Sequence, residues 1–180
     1  LPVTMDVAAH QLHLTDMDIG FFDSHCHVLP PLRTQRDRDV LRKAVAQGCI
    51  SAICSDHQPH DTDAKLAPFG ETEPGISAVE TLLPLALRLI DDELMTMSQL
   101  ISRLTIEPAR ILGLNVGHFT AGAQANICIF DPEQLWTVTA DTILSQGKNT
   151  PFIGWEMKGR VTHTLLNGKI VYQSNTGSRS

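Results

Sequence analysis

Three things are scarce in this sequence of 180 residues: long apolar runs, concentrated positive charge and paired cysteines. Apolar runs such as Leu82 to Leu87 fall far short of the ~20 residues needed to cross a bilayer, and no charged-then-apolar leader opens the chain. No membrane partner is expected, and the cytoplasm is the expected compartment. Net charge is −6 and the Lys and Arg residues are scattered, so no basic stripe is available to neutralise a phosphate backbone. Nucleic acid is not an expected partner. Cys26, Cys49, Cys54 and Cys128 form no C-x-x-C pair, which predicts reduced thiols acting as small buried hydrophobes rather than a disulfide framework. Core material, in contrast, is present in ordinary proportion. Hydrophobic residues make up 42% and charged ones 19%, the balance of a packed globular protein rather than a disordered one.

Periodicity predicts the elements. Residues 2 to 8 alternate and carry β-branched side chains, as a strand does, although Leu1 brings no initiator Met or cap, so the chain is expected to begin in mid-fold. From Thr34, with Asp37 three residues on as a capping box, Val40, Leu41, Ala44 and Val45 recur at helical spacing until Gly48. Residues 49 to 55 form a short apolar run suited to a parallel strand buried on both faces, which completes a strand, helix, strand unit. Residues 61 to 76 hold Pro68, Gly70, Pro74 and Gly75 and predict a long loop of the kind that serves a site. Helices are predicted over 79 to 90 and 94 to 104. A third is capped by Thr105, has Pro108 in its first turn and stops at Gly113. Beyond Gly117 the pattern turns to strands, at 125 to 130, 135 to 139, 162 to 166 and 169 to 172, the last two joined by the type I′ signal Asn167-Gly168. The tail from Ser174 to Ser180 reads as low in complexity and frayed.

Two strand ends carry chemistry. Asp56, in Ser55-Asp56-His57-Gln58-Pro59-His60, follows a buried parallel strand, where a carboxylate can ligate a divalent metal and accept a proton from metal-bound water. It can equally cap the following loop. His10, in Ala9-His10-Gln11-Leu12-His13, also lies just past a strand, where a histidine is either a ligand or part of the packing. Together they predict one rim, with the side chains within about 10 Å of each other, the reach of a metal pair ~4 Å apart.

At these residues the sequence resembles the dihydroorotases, cyclic amidohydrolases that use a metal. The likeness runs through Leu1-Pro2-Val3-Thr4, Asp6-Val7-Ala8 and His10, then Pro30-Pro31-Leu32-Arg33. It continues through Asp56-His57-Gln58-Pro59-His60, Pro68-Phe69, Pro74-Gly75-Ile76, Glu80-Thr81, Thr150-Pro151-Phe152-Ile153-Gly154-Trp155, Gly159-Arg160-Val161 and Asn167-Gly168-Lys169. It is also similar to the dihydroorotase-like subunits that accompany aspartate transcarbamoylase. The resemblance implies an α/β chain in two parts: residues 1 to 114 the C-terminal part of a (β/α)8 barrel of the TIM type, residues 115 to 180 a small β-rich sandwich domain.

The implied reaction is reversible hydrolysis of dihydroorotate to N-carbamoyl-aspartate, in pyrimidine biosynthesis. His10 and Asp56 would hold a divalent metal, zinc in the family, one or two ions, with the other ligands upstream. Asp56 would be the catalytic base. His60 would hold the substrate carboxylate, backbone near Gln58 and Gly75 would read the ring edge, and His25 stands where active relatives place a substrate-contacting Asn. His27 and Leu29 replace a Lys and an Asn, and His57 is expected to play a supporting role. The small-molecule substrate is one partner; the N-terminal half of the barrel, and a homo-oligomer or an aspartate transcarbamoylase, are the others. A full barrel needs ~250 residues, so this chain alone is expected to be inactive and unstable.

Three other readings stand beside this one. The first is a non-catalytic scaffold subunit. The second takes Asp23-Ser24-His25-Cys26-His27 as a first-strand D-x-H-x-H, which would make the chain the start of a barrel and leave too few strands for the other ligands. The third is a β-sandwich binding module.

Overall fold

The computed structural model describes residues 3–174. The expected tail therefore lies, beyond Ser174, outside the described residues, as do Leu1 and Pro2. Two short strands, β1 (Asp6–Ala8) and β2 (Ala52–Cys54), lie parallel in the register Asp6 to Ala52, Val7 to Ile53 and Ala8 to Cys54. The connection runs through α1 (Gln35–Gln47), the predicted helix. The Thr34 side chain accepts from the Asp37 amide, the Asp37 carboxylate accepts from the Thr34 amide, and Gly48 closes the helix in the left-handed region at φ 83°. A non-glycine residue there would meet its own carbonyl. The first strand is shorter than the predicted 2 to 8 because its pairing with β2 begins at Asp6; Val3 is 69% exposed.

The long loop after β2 contains only two 3-10 turns, Thr62–Lys65 and Phe69–Glu71. It ends where His57 bridges Ile76 in parallel. Then α2 (Val79–Asp91) buries Thr81, Pro84, Leu85, Ala86, Leu87 and Leu89. That stripe packs with Val7, Leu12, Ile53 and Ile76 in one hydrophobic core. A second capping box, Thr96 with Gln99, starts α3 (Met97–Leu104). For α4 (Ile106–Ile111) the expected cap fails: Thr105 sits at its N-terminus, but its hydroxyl donates back to the Ile101 carbonyl, 2.7 Å, closing α3 instead.

The β-rich region is a three-stranded antiparallel sheet in the order β3 (Ile127–Thr137), β4 (Glu156–Leu166), β5 (Lys169–Gln173). The two strands expected at 125 to 130 and 135 to 139 are one, interrupted by a register shift between Asp131 and Leu135. Pro132 lies in that interval, and a proline has no amide hydrogen for the ladder. The β4–β5 turn is as predicted, with Asn167 at φ 52° and Gly168 at φ 76°. Cysteine placement differs from expectation: Cys26 is buried, but Cys49 and Cys128 are exposed; all four are free.

Candidate active site

His10 and Asp56 each stand two residues beyond the carboxyl end of neighbouring parallel strands, opposite one another if the register is continued. Asp56 adopts φ 48°, the left-handed region that a short polar side chain tolerates best. That turn aims the chain into the Gln58-Pro59-His60 segment. The Gln58 side-chain amide donates to Asp56 Oδ1 at 3.0 Å, which fixes one carboxylate oxygen.

His10 is 1% exposed, and neither ring nitrogen has a hydrogen-bond partner. Burial lowers its pKa to about 4, while the nearby Asp56 carboxylate pulls the other way. The imidazole is therefore neutral near pH 7, the form that can donate a lone pair. Both nitrogens are enclosed by this chain itself, and neither is occupied by a protein partner. Among the described residues no three His, Cys, Asp or Glu side chains gather around one point. A divalent metal thus fits Asp56 directly and fits His10 in protonation state.

The substrate side is built from the loop. His60 Nε2–H donates to the Pro74 carbonyl at 3.0 Å, leaving Nδ1 to face other groups. The Gly75 amide donates to the His27 carbonyl, 2.8 Å, and the Gln58 amide to the Ile76 carbonyl, 2.9 Å. Of the backbone groups expected to read a ring edge, these two N–H groups are therefore engaged within the chain. Their carbonyls keep a second lone pair each. Gly75 lies at φ 130°, and a Cβ there would come within 2.5 Å of Gln58 Cβ. His25 is half-exposed, and its Nδ1 pairs with Asp23 Oδ1 at 3.0 Å. His27 Nδ1 bonds Thr72 Oγ1 at 2.8 Å, and its ring lies 4.8 Å from that of Phe69. Thr72 Oγ1 donates to the Phe69 carbonyl, so His27 is the donor and its Nε2 carries the lone pair.

Two further features come from the structure, the second of them unforeseen. His57 Nδ1 accepts the amides of Ala78 and Val79, 3.0 and 3.3 Å, so it caps the start of α2, which makes its expected supporting role specific. Asn149 Oδ1 accepts the His60 amide at 2.7 Å, and its Nδ2 donates to the carbonyls of Gln58 and Gly75 at 2.9 and 3.0 Å. No local pattern announces a contact across some ninety residues. The sole hint is its place directly before Thr150-Pro151-Phe152.

Known proteins resemble this chain over nearly its whole length. The sequence is 51% identical over 172 residues to a dihydroorotase-like protein of Pseudomonas putida, covering 96% of this chain and 40% of the relative. It is 40% identical over 171 residues to a dihydroorotase of Geobacter metallireducens, covering 95% and 40%. The chain thus spans about 40% of the length of the curated relatives it matches. Among solved structures, an L-hydantoinase (dihydropyrimidinase) from Arthrobacter aurescens superposes with a TM-score of 0.88 at 24% identity, over 95% of this chain and 39% of the other. A D-hydantoinase (dihydropyrimidinase) from Thermus sp. gives 0.87 at 25%, over 96% and 40%. These likenesses identify β1, α1, β2 and α2 as a fragment of a TIM-type α/β barrel. Since the profile of the amidohydrolase family matches residues 4–171, the chain belongs to that family.

Proposed function

We propose that this chain is the C-terminal part of a dihydroorotase-type hydrolase that opens the cyclic amide of dihydroorotate to N-carbamoyl-aspartate, a step of pyrimidine biosynthesis. The observation that carries the proposal is Asp56, held in the left-handed region at the end of β2 beside the His60 and Gly75 loop. A divalent metal, zinc by family likeness, supplies polarisation of the ring carbonyl and a water that ionises near neutral pH. Asp56 takes the proton of the attacking water and returns it to the ring nitrogen as the C–N bond breaks. The Gln58 amide bound to Oδ1 leaves Oδ2 for that proton.

His10 and Asp56 are the residues of this chain that would hold the metal. His60, anchored through Nε2, presents Nδ1–H to the substrate carboxylate when protonated. The carbonyls of Gln58 and Gly75 receive ring N–H groups, and His25 closes the exposed side. In this reading the three-stranded sheet is one layer of a sandwich formed with the remainder of the protein, residues 1 to 114 and 115 to 180 are its two parts, and the enzyme works in the cytoplasm.

A second reading, a non-catalytic subunit of an aspartate transcarbamoylase complex, draws on the relatives named dihydroorotase-like, 51% and 47% identical, and on the engaged amides of Gln58 and Gly75. The test is turnover of dihydroorotate by the whole protein, with and without added zinc, in wild type and Asp56→Asn. Hydrolysis that drops by a factor on the order of 10² to 10⁴ in the variant supports the enzyme. No hydrolysis, with co-purification of a transcarbamoylase, supports the scaffold.

A further inference from the structure

The stretch from Ser145 to Asn149 links the β-rich region to the site, and almost every polar contact it makes with the rest of the chain runs to the site loop or to α2 behind it. The Ser145 amide donates to Glu80 Oε1 at 2.6 Å, and Ser145 Oγ lies 3.5 Å from His57 Nε2. Gly147 presses on the loop so closely that a Cβ would stand 2.6 Å from the His60 nitrogen and 2.6 Å from Pro59 Cβ. Asn149, 3% exposed, then takes hold of three backbone positions at once: the His60 amide and the carbonyls of Gln58 and Gly75. Its own carbonyl accepts the Ser77 amide, 2.8 Å.

We propose that Asn149 is a positioning residue for substrate: through its carboxamide the β-rich region sets the separation of the two loop limbs that carry His60 on one side and Gly75 on the other. The side chain's chemistry is specific to this task. One acceptor meets one N–H and two hydrogens meet two carbonyls, a pattern that only a carboxamide of this length supplies. An aspartate would keep the His60 contact and set a negative oxygen against the carbonyls of Gln58 and Gly75. Asp56 stands two residues past β2 and meets Asn149 only at one remove, through Gln58. Displacing Asn149 therefore disturbs the groups that bind substrate more than the group that moves the proton.

This inference rests on the dihydroorotase reading for its substrate but not for its geometry, so two measurements are needed. The whole protein is prepared as wild type, Asn149→Asp and Gly147→Ala, the last pushing the loop from the same side without touching the carboxamide. Kinetics are measured on dihydroorotate, dihydrouracil and hydantoin, and amide hydrogen exchange is followed residue by residue. The expected result is a KM raised about 10- to 100-fold, with kcat changed far less. Exchange should accelerate at His60 and Gly75 while Val7 and Ile53 keep their wild-type rates. An unchanged KM, exchange accelerated uniformly along the chain, or loss of the fold in both variants would overturn the proposal and leave Asn149 a structural residue. If wild type turns over none of the three cyclic amides, the functional reading fails, and the local or uniform character of the exchange alone decides the positioning role.

Discussion

Acidification should unfold this protein through His13 in a way that can be separated from every other titration. His13 follows the 3-10 turn after β1 and lines a cavity of about 460 Å³ together with Arg42, Arg88, Asp92 and Trp155. Its Nε2 is buried without a partner, while the nearby Leu85 backbone favours the charged ring. Burial, then the Arg42 guanidinium, lowers its pKa from 6.5 to about 4; Arg88 adds to this and Asp92 opposes it. The unfolded chain therefore binds a proton that the folded chain refuses between these two values, and stability falls as pH falls through that window. At about 1.4 kcal/mol per pKa unit the full effect is roughly 3 kcal/mol below pH ~4, of which about 2 kcal/mol has developed by pH ~5. The assay is urea denaturation of the whole protein near pH 7 and near pH 5, in wild type and His13→Gln. Wild type should lose about 2 kcal/mol more than the variant on acidification, because the glutamine has no proton to bind. Equal losses in the two proteins would show that His13 is solvated or already charged when folded, and the reasoning from burial would be wrong.

Phe152→Ala removes a fully buried ring stacked edge-on against Trp155 at 5.1 Å; a loss of about 3 to 5 kcal/mol is expected in calorimetry. Gly75→Ala forces a Cβ to within 2.5 Å of Gln58 Cβ at φ 130° and should cost about 1 to 3 kcal/mol while raising KM for dihydroorotate, read by denaturation and kinetics. Thr34→Ala removes the capping box of α1 at an exposed site, with an expected loss of about 1 kcal/mol and no change in turnover.

What the sequence made legible was what short-range physics decides. The α1 boundaries follow from Thr34, Asp37 and Gly48, all within one turn of the helix ends they set. The Asn167-Gly168 turn follows from two adjacent positive φ angles. Where a residue has two possible partners, reading fails: Thr105 had the signature of a cap, but the Ile101 carbonyl one turn behind captured its hydroxyl. The alternation around Pro132 broke as if a strand had ended, whereas the ladder with β4 resumes beyond it. Asp56 and His10 were visible as residues just past neighbouring strands because each follows a buried run. Asn149 was not, because its significance lies wholly in contacts 74 to 91 residues distant.

That same distance bears on how the chain is divided. Composition changes near residue 115, and the proposed boundary follows it, yet packing ignores it. Val138, Ile143, Phe152 and Met157, from the β-rich region, belong to the same buried cluster as Leu85, Leu89 and Ile76. Arg88 of α2 donates to the Glu156 carbonyl and lies over the Trp155 ring, 5.2 Å from its centroid. Lys158 bridges Asp91 of α2 and Glu133 of β3 at 3.2 and 3.1 Å; both pairs are solvent-facing and orient the contact more than they stabilise it. The apolar faces therefore supply the adhesion, while the stretch from Ser145 to Asn149 ties the site loop and α2 to the β-rich side by hydrogen bonds. The loop that opens on Asp56 at φ 48° is held by contacts distant in sequence as well as by its own turns. Under the proposed positioning by Asn149 that shape is set from the β-rich side, which would give the region a part in substrate binding without a group in the chemistry.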